Sequence, residues 1–498
     1  MSHILKENKK ILKFLIIILI FLFLFLSFKG INSYVGNKLY YVIFTIVNFY
    51  LLYFIFRKKN FFFDVFFGLL IFLGFWFKFT ATISFTPFVK GQFNEGVGEF
   101  DYKPSSFDEV LLISCVGLLG FIVAGHLREF IINYPKKIKF EPTYEKFFLN
   151  YRNYIWILYL ILILSVAFIN IKFQIYQRGL VSPVEGNFIF VSIIKWLLLF
   201  GLTSLSTWIL YNEIKFKTSN IYIPLLAFFE TFLSYSSMLS RGMIFNSGSI
   251  FFGIYKFSKL FKKKITFLNS FLYLFFIFIL FYLSVISVNH IRAKYFYSGE
   301  SFNSTKTDNS TKTEATGEVS QQIEKEMQIN VNQQNMEIVY LAINRWVGID
   351  AVMAVNSKKE ILGINLIKNS FNERFSRYSN SFYEETFEIK NTYKKVDNNV
   401  KGNTLTGIVA FLFYSGSLLI LFFLMILICL FACFIEYLAF KLSGKNLIFA
   451  ALIGQIIAFR LTNFGYLPHQ SYLLFSAIFL SIFMIYILNM LLKNFEDN

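Results

Sequence analysis

The chain has 498 residues, of which 56% are hydrophobic and only 16% are charged. Its apolar runs repeatedly approach the roughly 20 residues that cross a hydrocarbon core, which excludes a soluble enzyme and predicts an integral membrane protein. The formal net charge of +18 would suggest a nucleic-acid partner in a soluble protein, but here the cations concentrate in short loops, where they hold one face of each span in the cytoplasm.

Residues 1–288 are predicted to contain nine transmembrane helices. A basic N-terminus precedes the first run, which lacks a small-residue cleavage site and is therefore interpreted as a retained span. In the third span, Lys78 lies close enough to the outer end for its ammonium group to snorkel to the interface. The seventh and eighth spans are joined by Ser240, Arg241 and Gly242, a turn that places Arg241 at the outer membrane boundary. The predicted spans are 11–28, 39–56, 61–85, 107–125, 154–170, 188–211, 221–239, 243–257 and 267–288.

Residues 289–404 form a long polar segment, and we predict that it is one large extracytoplasmic loop. Within it, 298–334 has the composition of a disordered insertion, because it contains few large apolar residues that could bury surface. An amphipathic helix is predicted over 337–356, packed on the outer surface of the membrane domain. This helix carries Arg345 and Asp350.

Residues 405–498 are predicted to form the last three transmembrane helices, which are a long helix over 405–438 and spans at 447–461 and 471–492. The total is about twelve spans with both termini in the cytoplasm, because basic residues concentrate on one predicted face throughout. Counts of eleven and thirteen are the alternatives, since the span at 243–257 is short and the helix at 405–438 is long. The predicted fold class is an all-α polytopic membrane protein.

Cations on the outer side are the candidates for binding an anionic substrate. The guanidinium of Arg241 is held in a tight turn and presents several donors in a fixed fork, which suits a diphosphate; an interfacial anchor to lipid phosphate is the alternative. Arg345 lies shortly before Gly348, where the missing side chain allows another surface to approach. Arg374 and Arg377 form a second basic patch, for which a solvated face is the alternative. Two tyrosines near this patch have rings of the kind that stack on sugars, Tyr378 and Tyr383.

Two ionisable residues, Glu230 and Arg460, are assigned to the interior of predicted spans. A charge near the bilayer centre costs at least about 2.5 to 3.5 kcal/mol unless it is paired or hydrated, so both are expected to face the interior of the bundle. His469 follows at the outer mouth as a candidate acid or base, with a helix cap as the alternative. Asp350 is a candidate base or a structural acceptor. The candidates for a general base are therefore His469, Asp350 and Glu230, in no particular order.

Motifs of soluble enzymes are absent from the sequence, which has no phosphate-cradling glycine loop, paired-histidine motif or nucleophile elbow. The three cysteines lie in apolar runs, so neither disulfides nor a zinc site is predicted. We expect no metal site and no cofactor.

Four short segments together resemble the oligosaccharide repeat-unit polymerases, the Wzy-like O-antigen polymerase family. They are SRG at 240–242, RWVGID at 345–350, GNT at 402–404 and LFYSG at 412–416. The resemblance implies a GT-C-like fold in the bacterial inner membrane and metal-independent, inverting transfer of a glycan from undecaprenyl diphosphate. It also implies a chain-length regulator and a flippase as partners. In this family arginines hold the diphosphate, a role that would fall to Arg241 and Arg345, with Arg460 as a further partner.

The chain departs from the family pattern at one point. Some relatives have a Gly eleven positions after a loop Arg, whereas Phe252 and Asn356 stand at that distance from Arg241 and Arg345. An O-antigen ligase is the nearest alternative, but Leu480 stands where the His pattern of ligases has Gly. A lipid or polysaccharide transporter is the alternative from another class; such proteins are typically built from repeated halves, and none is found here. A sensor or scaffold is a further alternative.

Overall fold

The computed structural model describes residues 2–57, 60–85, 97–135, 144–178, 188–216, 222–260, 267–303, 343, 346–373, 382–388, 406–464 and 468–497. All regular elements within these ranges are helices, which confirms the predicted all-α class. Eight helices of this part of the chain are long and apolar enough to cross a membrane, so a polytopic membrane protein is supported. The count of about twelve spans stays a prediction.

Two of the helical segments before the large loop contain a π-helical turn. Leu73–Phe77 separates α3 from α4, and Leu197–Gly201 separates α7 from α8. In both places the two helices form one continuous helical segment across the π-helical turn. The helices are α1 Ser2–Ser33, α2 Lys38–Ile55, α3 Phe62–Phe72, α4 Lys78–Phe85, α5 Pro104–Ile131, α6 Glu145–Phe173, α7 Phe188–Trp196, α8 Leu202–Lys215, α9 Tyr222–Ser237, α10 Met243–Leu260 and α11 Phe267–Asn303.

Short helices of the loop region precede three long helices at the end of the chain. They are α12 Ile349–Ser357, α13 Lys359–Asn372, α14 Phe382–Thr386, α15 Ile408–Leu412, α16 Leu418–Leu442, α17 Leu447–Thr462 and α18 Pro468–Asp497. The N-terminal end of α5 lies beside α12, since the side-chain amide of Asn356 donates to Glu109 Oε2 at 3.1 Å. We call the end of the bundle that carries α12 to α15 the loop end, and the opposite end the far end.

The helix predicted over 337–356 is described in its second half, and there it begins at Ile349. Gly348, with φ 166° and ψ −97°, is extended, so the chain just before α12 is not helical. Every residue from Ile349 to Asn356 is buried. The helix contacts α4 and α5 of the membrane domain, and its burial differs from an amphipathic helix with a solvent-facing side. Of the predicted insertion, 298–303 belongs to α11, and 304–334 lies outside the described residues.

The long helix predicted over 405–438 is interrupted near its start. The short helix α15 continues into a 3-10 turn, Phe413–Ser415, and then Gly416 adopts a left-handed conformation with φ 72°. Glycine adopts this conformation without steric cost, so the helix ends here. The side chain of Ser417 then caps α16 by accepting a hydrogen bond from Ile420 N. Five residues of α15 are buried, so this segment packs inside the loop end.

A cluster of charged side chains is buried at the far end. Arg128, in the last turn of α5, forms an ion pair with Asp64 of α3 at 3.1 Å, and both side chains are at most 1% exposed. The carboxylate of Glu436 on α16 accepts hydrogen bonds from the backbone N–H groups of Phe62 and Phe63, at 2.9 and 2.6 Å. It therefore caps the start of α3. This cluster ties three helices together.

More ionisable residues lie inside the spans than the two that the sequence predicted, Glu230 and Arg460. Asp64, Lys256 and Glu436 also lie within helices in buried or largely buried positions. Their partners come from helices distant in the sequence, so hydropathy does not indicate the pairing. Gly454 on α17 makes room for this cluster, because a Cβ there would lie 2.8 Å from Phe63 N.

We expect Arg128→Leu to lower the free energy of unfolding by about 3 to 5 kcal/mol, because it leaves the Asp64 carboxylate buried without its cation. Arg57→Leu is the matched control, since the Arg57–Glu129 pair at 3.3 Å is partly exposed and should contribute about 1 kcal/mol or less. Denaturant unfolding of both purified variants in the same detergent measures the difference. Equal stabilities would show that the buried pair does not hold the far end together.

Candidate active site at the loop end

Arg241 lies in the turn between α9 and α10, at the loop end. Its guanidinium is half-buried and donates a hydrogen bond to the side-chain oxygen of Asn289 on α11. Leu239 has a left-handed backbone, φ 52°, which allows the chain to reverse within a few residues. The tight turn that the sequence predicts is therefore present, and a hydrogen bond to a neighbouring helix limits the positions that the guanidinium can take.

Arg460 lies in the last turn of α17, at the same end of the bundle as Arg241. The helices α10 and α17 pack along each other, and the rings of Phe245 and Phe459 are 4.8 Å apart. Phe245 is one turn after Arg241, and Phe459 is adjacent to Arg460 in the sequence. The packing of α10 on α17 therefore brings two half-buried arginines to one region of the loop end.

A buried ion pair attaches α12 to the membrane helices. The ammonium group of Lys78 on α4 binds Asp350 Oδ2 and donates a hydrogen bond to the carbonyl of Trp346 at 3.1 Å. The side chains of Lys78 and Asp350 are 4% and 12% exposed. The predicted snorkelling of Lys78 is therefore wrong, because its charge is compensated inside the protein instead of at the interface.

The π-helical turn before Lys78 accounts for this inward direction. One extra residue per turn rotates the following side chains by roughly 100° relative to a continuous α-helix. Lys78 is the first residue after Leu73–Phe77, so the turn directly determines the face on which its side chain lies. A lysine within an apolar run was the feature of the sequence that could have indicated a buried partner.

The backbone before α12 packs directly on this π-helical turn. A Cβ on Gly348 would lie 2.6 Å from the carbonyl oxygen of Gly74 and 2.7 Å from its carbonyl carbon. Real Cβ atoms do not approach backbone atoms so closely, so the contact requires glycine at position 348. The prediction that Gly348 allows another surface to approach is confirmed.

We expect Gly348→Ala to lower the free energy of unfolding by about 1 to 3 kcal/mol, since the added methyl group forces two backbones apart. Gly248→Ala on α10 is the matched control, because a Cβ there meets no atom within 4 Å and should be neutral or slightly stabilising. Thermal unfolding of both variants checks the prediction. A Gly348 variant as stable as its control would show that the backbone contact is not maintained.

A small pocket connects this contact to the end of α17. The backbone N–H of Gly407 donates to the carbonyl of Phe464 at 2.6 Å, which holds the start of α15 against the residues after Arg460. The pocket therefore lies between the loop backbone, the π-helical turn and α17. Six of its lining residues are Ile71, Phe75, Val347, Gly348, Gly407 and Thr462.

The phenol of Tyr383 lies close to the ion pair. Burial raises the pKa of Tyr383, and the nearby carboxylate of Asp350 raises it further, so the phenol is neutral. Its ring stacks on that of Tyr414, with centroids 6.2 Å apart and the planes 5° from parallel. Tyr383 is only 1% exposed, so its ring is not on the surface for stacking on a sugar.

The remaining sequence candidates fall into two groups. Glu230 on α9 is fully buried, and its Oε1 accepts hydrogen bonds from Ser234 Oγ at 2.8 Å and Thr203 Oγ1 at 3.4 Å. His469 lies in the first turn of α18, but its side chain lies outside the described part of the chain. The other predicted phosphate ligands also lie outside the described residues, namely Arg345, Arg374 and Arg377.

No group of three or more His, Cys, Asp or Glu side chains that could hold a metal ion occurs among the described residues. The loop end thus combines two half-buried guanidinium groups with a carboxylate that an ammonium group neutralises. The two guanidinium groups can bind an anion. The Lys78–Asp350 pair carries no net charge, so it does not repel that anion. No protein-family model, curated protein or solved structure matches this chain.

Proposed function

We propose that this protein is a membrane glycosyltransferase that joins undecaprenyl-diphosphate-linked oligosaccharide repeat units into surface polysaccharide, such as O-antigen or capsule. The observation that carries the proposal is the presence of Arg241 and Arg460 on two packed helices at one end of the bundle, beside the buried loop helix α12. Two guanidinium groups at the end of a membrane bundle suit a prenyl diphosphate, whose lipid lies in the bilayer and whose phosphates lie at its boundary.

In the proposed reaction, the growing glycan is the donor and the non-reducing end of an incoming lipid-linked unit is the acceptor. A hydroxyl oxygen of the acceptor attacks the anomeric carbon, and the bond from that carbon to the diphosphate oxygen breaks with inversion. The electron pair leaves on undecaprenyl diphosphate, which Arg241 and Arg460 stabilise as its charge develops. Arg345, Arg374 and Arg377 are proposed as further contacts to the phosphates. The family resemblance implies that no metal ion takes part.

The proton of the acceptor hydroxyl requires a general base. Asp350 Oδ2 is engaged by the ammonium group of Lys78, and Glu230 has no exposed atom. We therefore assign the base to His469, in the first turn of α18, with Asp350 as a structural acceptor that holds α12. Orientation of the two lipid-linked substrates and neutralisation of charge supply the remaining rate enhancement.

The proposed location is the bacterial inner membrane, with both termini in the cytoplasm and the loop end at the outer face. There the substrates are delivered by a flippase, and a chain-length regulator sets the length of the product. Both partners follow from the resemblance and from the chemistry of a lipid-linked substrate, which must cross the bilayer before it reaches the loop end.

Purified protein in nanodiscs with lipid-linked repeat units tests the proposal. We expect a ladder of longer lipid-linked glycans without added metal, resolved by electrophoresis. Transfer of glycan to a lipid A acceptor without elongation would instead support an O-antigen ligase. Movement of lipid-linked units across a vesicle membrane without any new glycosidic bond would support a transporter, and either result would overturn the polymerase proposal.

A further inference from the structure

A band of polar side chains is buried where α8, α9 and α10 meet. Glu230 lies in this band with its side chain fully buried, among hydroxyl groups from all three helices. The hydroxyls of Thr231 and Ser247 hydrogen-bond each other at 2.6 Å across the α9–α10 contact. Buried hydroxyl groups in a membrane bundle usually satisfy one another, whereas a buried carboxyl requires a charge partner or neutralisation.

The two oxygens of Glu230 differ in their surroundings. Oε1 accepts two hydrogen bonds, from Ser234 Oγ and Thr203 Oγ1. Oε2 is buried without a hydrogen-bond partner, and neither oxygen forms an ion pair with any residue that the structure describes. An unneutralised carboxylate in such a place would cost several kcal/mol, which favours neutralisation by a cation at Oε2.

Mostly uncharged groups face Glu230 from the surrounding helices. The phenol of Tyr159 approaches from α6 and donates to the carbonyl of Leu202 at 3.1 Å, and Tyr235 lies on α9 itself. From α10, the amide of Asn246 contacts Thr203 Oγ1 at 3.4 Å. From α11, Tyr273 packs on Phe228, with ring centroids 6.0 Å apart. Among the described residues, two cations lie nearby: the guanidinium of Arg178 is 5.7 Å from the centroid of the Tyr235 ring, and the ammonium of Lys195 is 5.8 Å from that of Tyr176.

The second π-helical turn, Leu197–Gly201, ends two residues before Thr203. Such turns loosen the regular pattern of backbone hydrogen bonds and occur frequently at functional sites. Here the carbonyl of Leu199 is 3.5 Å from the side-chain nitrogen of Asn246. The region around Glu230 therefore contains carboxylate, hydroxyl and carbonyl oxygens, the donor set that small hard cations prefer.

We propose that Glu230 is the centre of a buried site for one monovalent cation, either H⁺ or Na⁺. Both ions neutralise the carboxylate at Oε2 and both are compatible with the hydroxyl groups at Oε1. The site lies inside the bundle and uses neither Arg241 nor Arg460, so the proposal does not depend on the polymerase activity.

The experiment uses the full chain in detergent and compares thermal unfolding in NaCl with that in choline chloride at equal ionic strength. If Na⁺ binds, the unfolding midpoint rises in NaCl, because a ligand of the folded state stabilises it. Glu230→Gln removes this sensitivity, and Ser234→Ala weakens the apparent Na⁺ affinity by about tenfold, since one stabilising hydroxyl is lost.

If H⁺ is the occupant, the two salts give equal midpoints and infrared spectra at neutral pH contain a band of a protonated carboxyl group. That band disappears in Glu230→Gln and shifts in Ser234→Ala, whose loss of a hydroxyl changes the hydrogen bonding of the carboxyl group. The serine variant keeps the experiment decisive if Glu230→Gln does not fold. The proposal would be overturned if the unfolding midpoints were equal in the two salts and no infrared band of a protonated carboxyl group responded to either variant. Glu230 would then be an ionised carboxylate without a bound cation.

Discussion

The Arg241→Ala variant is expected to lose long-chain polysaccharide by at least about a hundredfold, while single-unit product and protein level stay unchanged. Removing one preorganised donor from a developing oxyanion typically lowers the rate by about 10²- to 10³-fold. Arg241 meets the structural requirement for such a donor, because the turn after α9 and the hydrogen bond to Asn289 restrict its guanidinium. Electrophoresis of the glycan ladder, with immunoblotting for the protein, measures the result.

Lys358→Ala is the matched control for this experiment. Lys358 is also a cation of the loop end, but it pairs with Glu99 at 3.2 Å and Glu388 at 2.8 Å, both largely exposed. Exposed pairs contribute little, so a normal ladder is expected. Arg241→Lys keeps the charge but not the planar fork and should give an intermediate ladder. A normal ladder in Arg241→Ala would remove this residue from the proposed site.

Hydropathy and charge distribution were sufficient to predict the helical class and most of the long helices. A helix that crosses lipid needs apolar side chains over a fixed length and must form its backbone hydrogen bonds internally. They could not predict breaks that depend on a single residue. At Gly416 a left-handed backbone divides a run that is apolar on both sides. At Leu73–Phe77 a π-helical turn changes the inward face without changing the composition. Neither break is visible in hydropathy or in the charge distribution.

The candidate site was predictable to a similar degree. The importance of Gly348 was visible in the sequence, since a glycine beside charged residues indicates close approach of another surface. The identity of that surface was not, because Gly74 is more than two hundred positions away and nothing local distinguishes it from other glycines in spans. Lys78 was interpreted by its distance from the membrane boundary, whereas its ion pair with Asp350 depends on how the loop returns to the bundle.

The second large effect is expected at this ion pair. Lys78→Met should lower the free energy of unfolding by about 3 to 5 kcal/mol, because the Asp350 carboxylate would remain buried without its cation. The carbonyl of Trp346 would also lose its donor, and the segment before α12 would detach from the π-helical turn. Detachment of that segment should remove polymer formation as well, since it leads directly to the residues that line the pocket beside α17.

The double variant Lys78→Met with Asp350→Asn separates charge from packing. It removes both charges together and keeps the size of both side chains, so we expect it to recover most of the lost stability. Denaturant unfolding of the two single variants and the double variant gives the coupling between the residues, and the polymer ladder is measured in parallel. If stability recovers while the ladder does not, the charges of this pair are needed for function and not only for holding α12. If the double variant is no more stable than Lys78→Met, the two side chains are not coupled, and attachment of the loop helix through this pair is refuted.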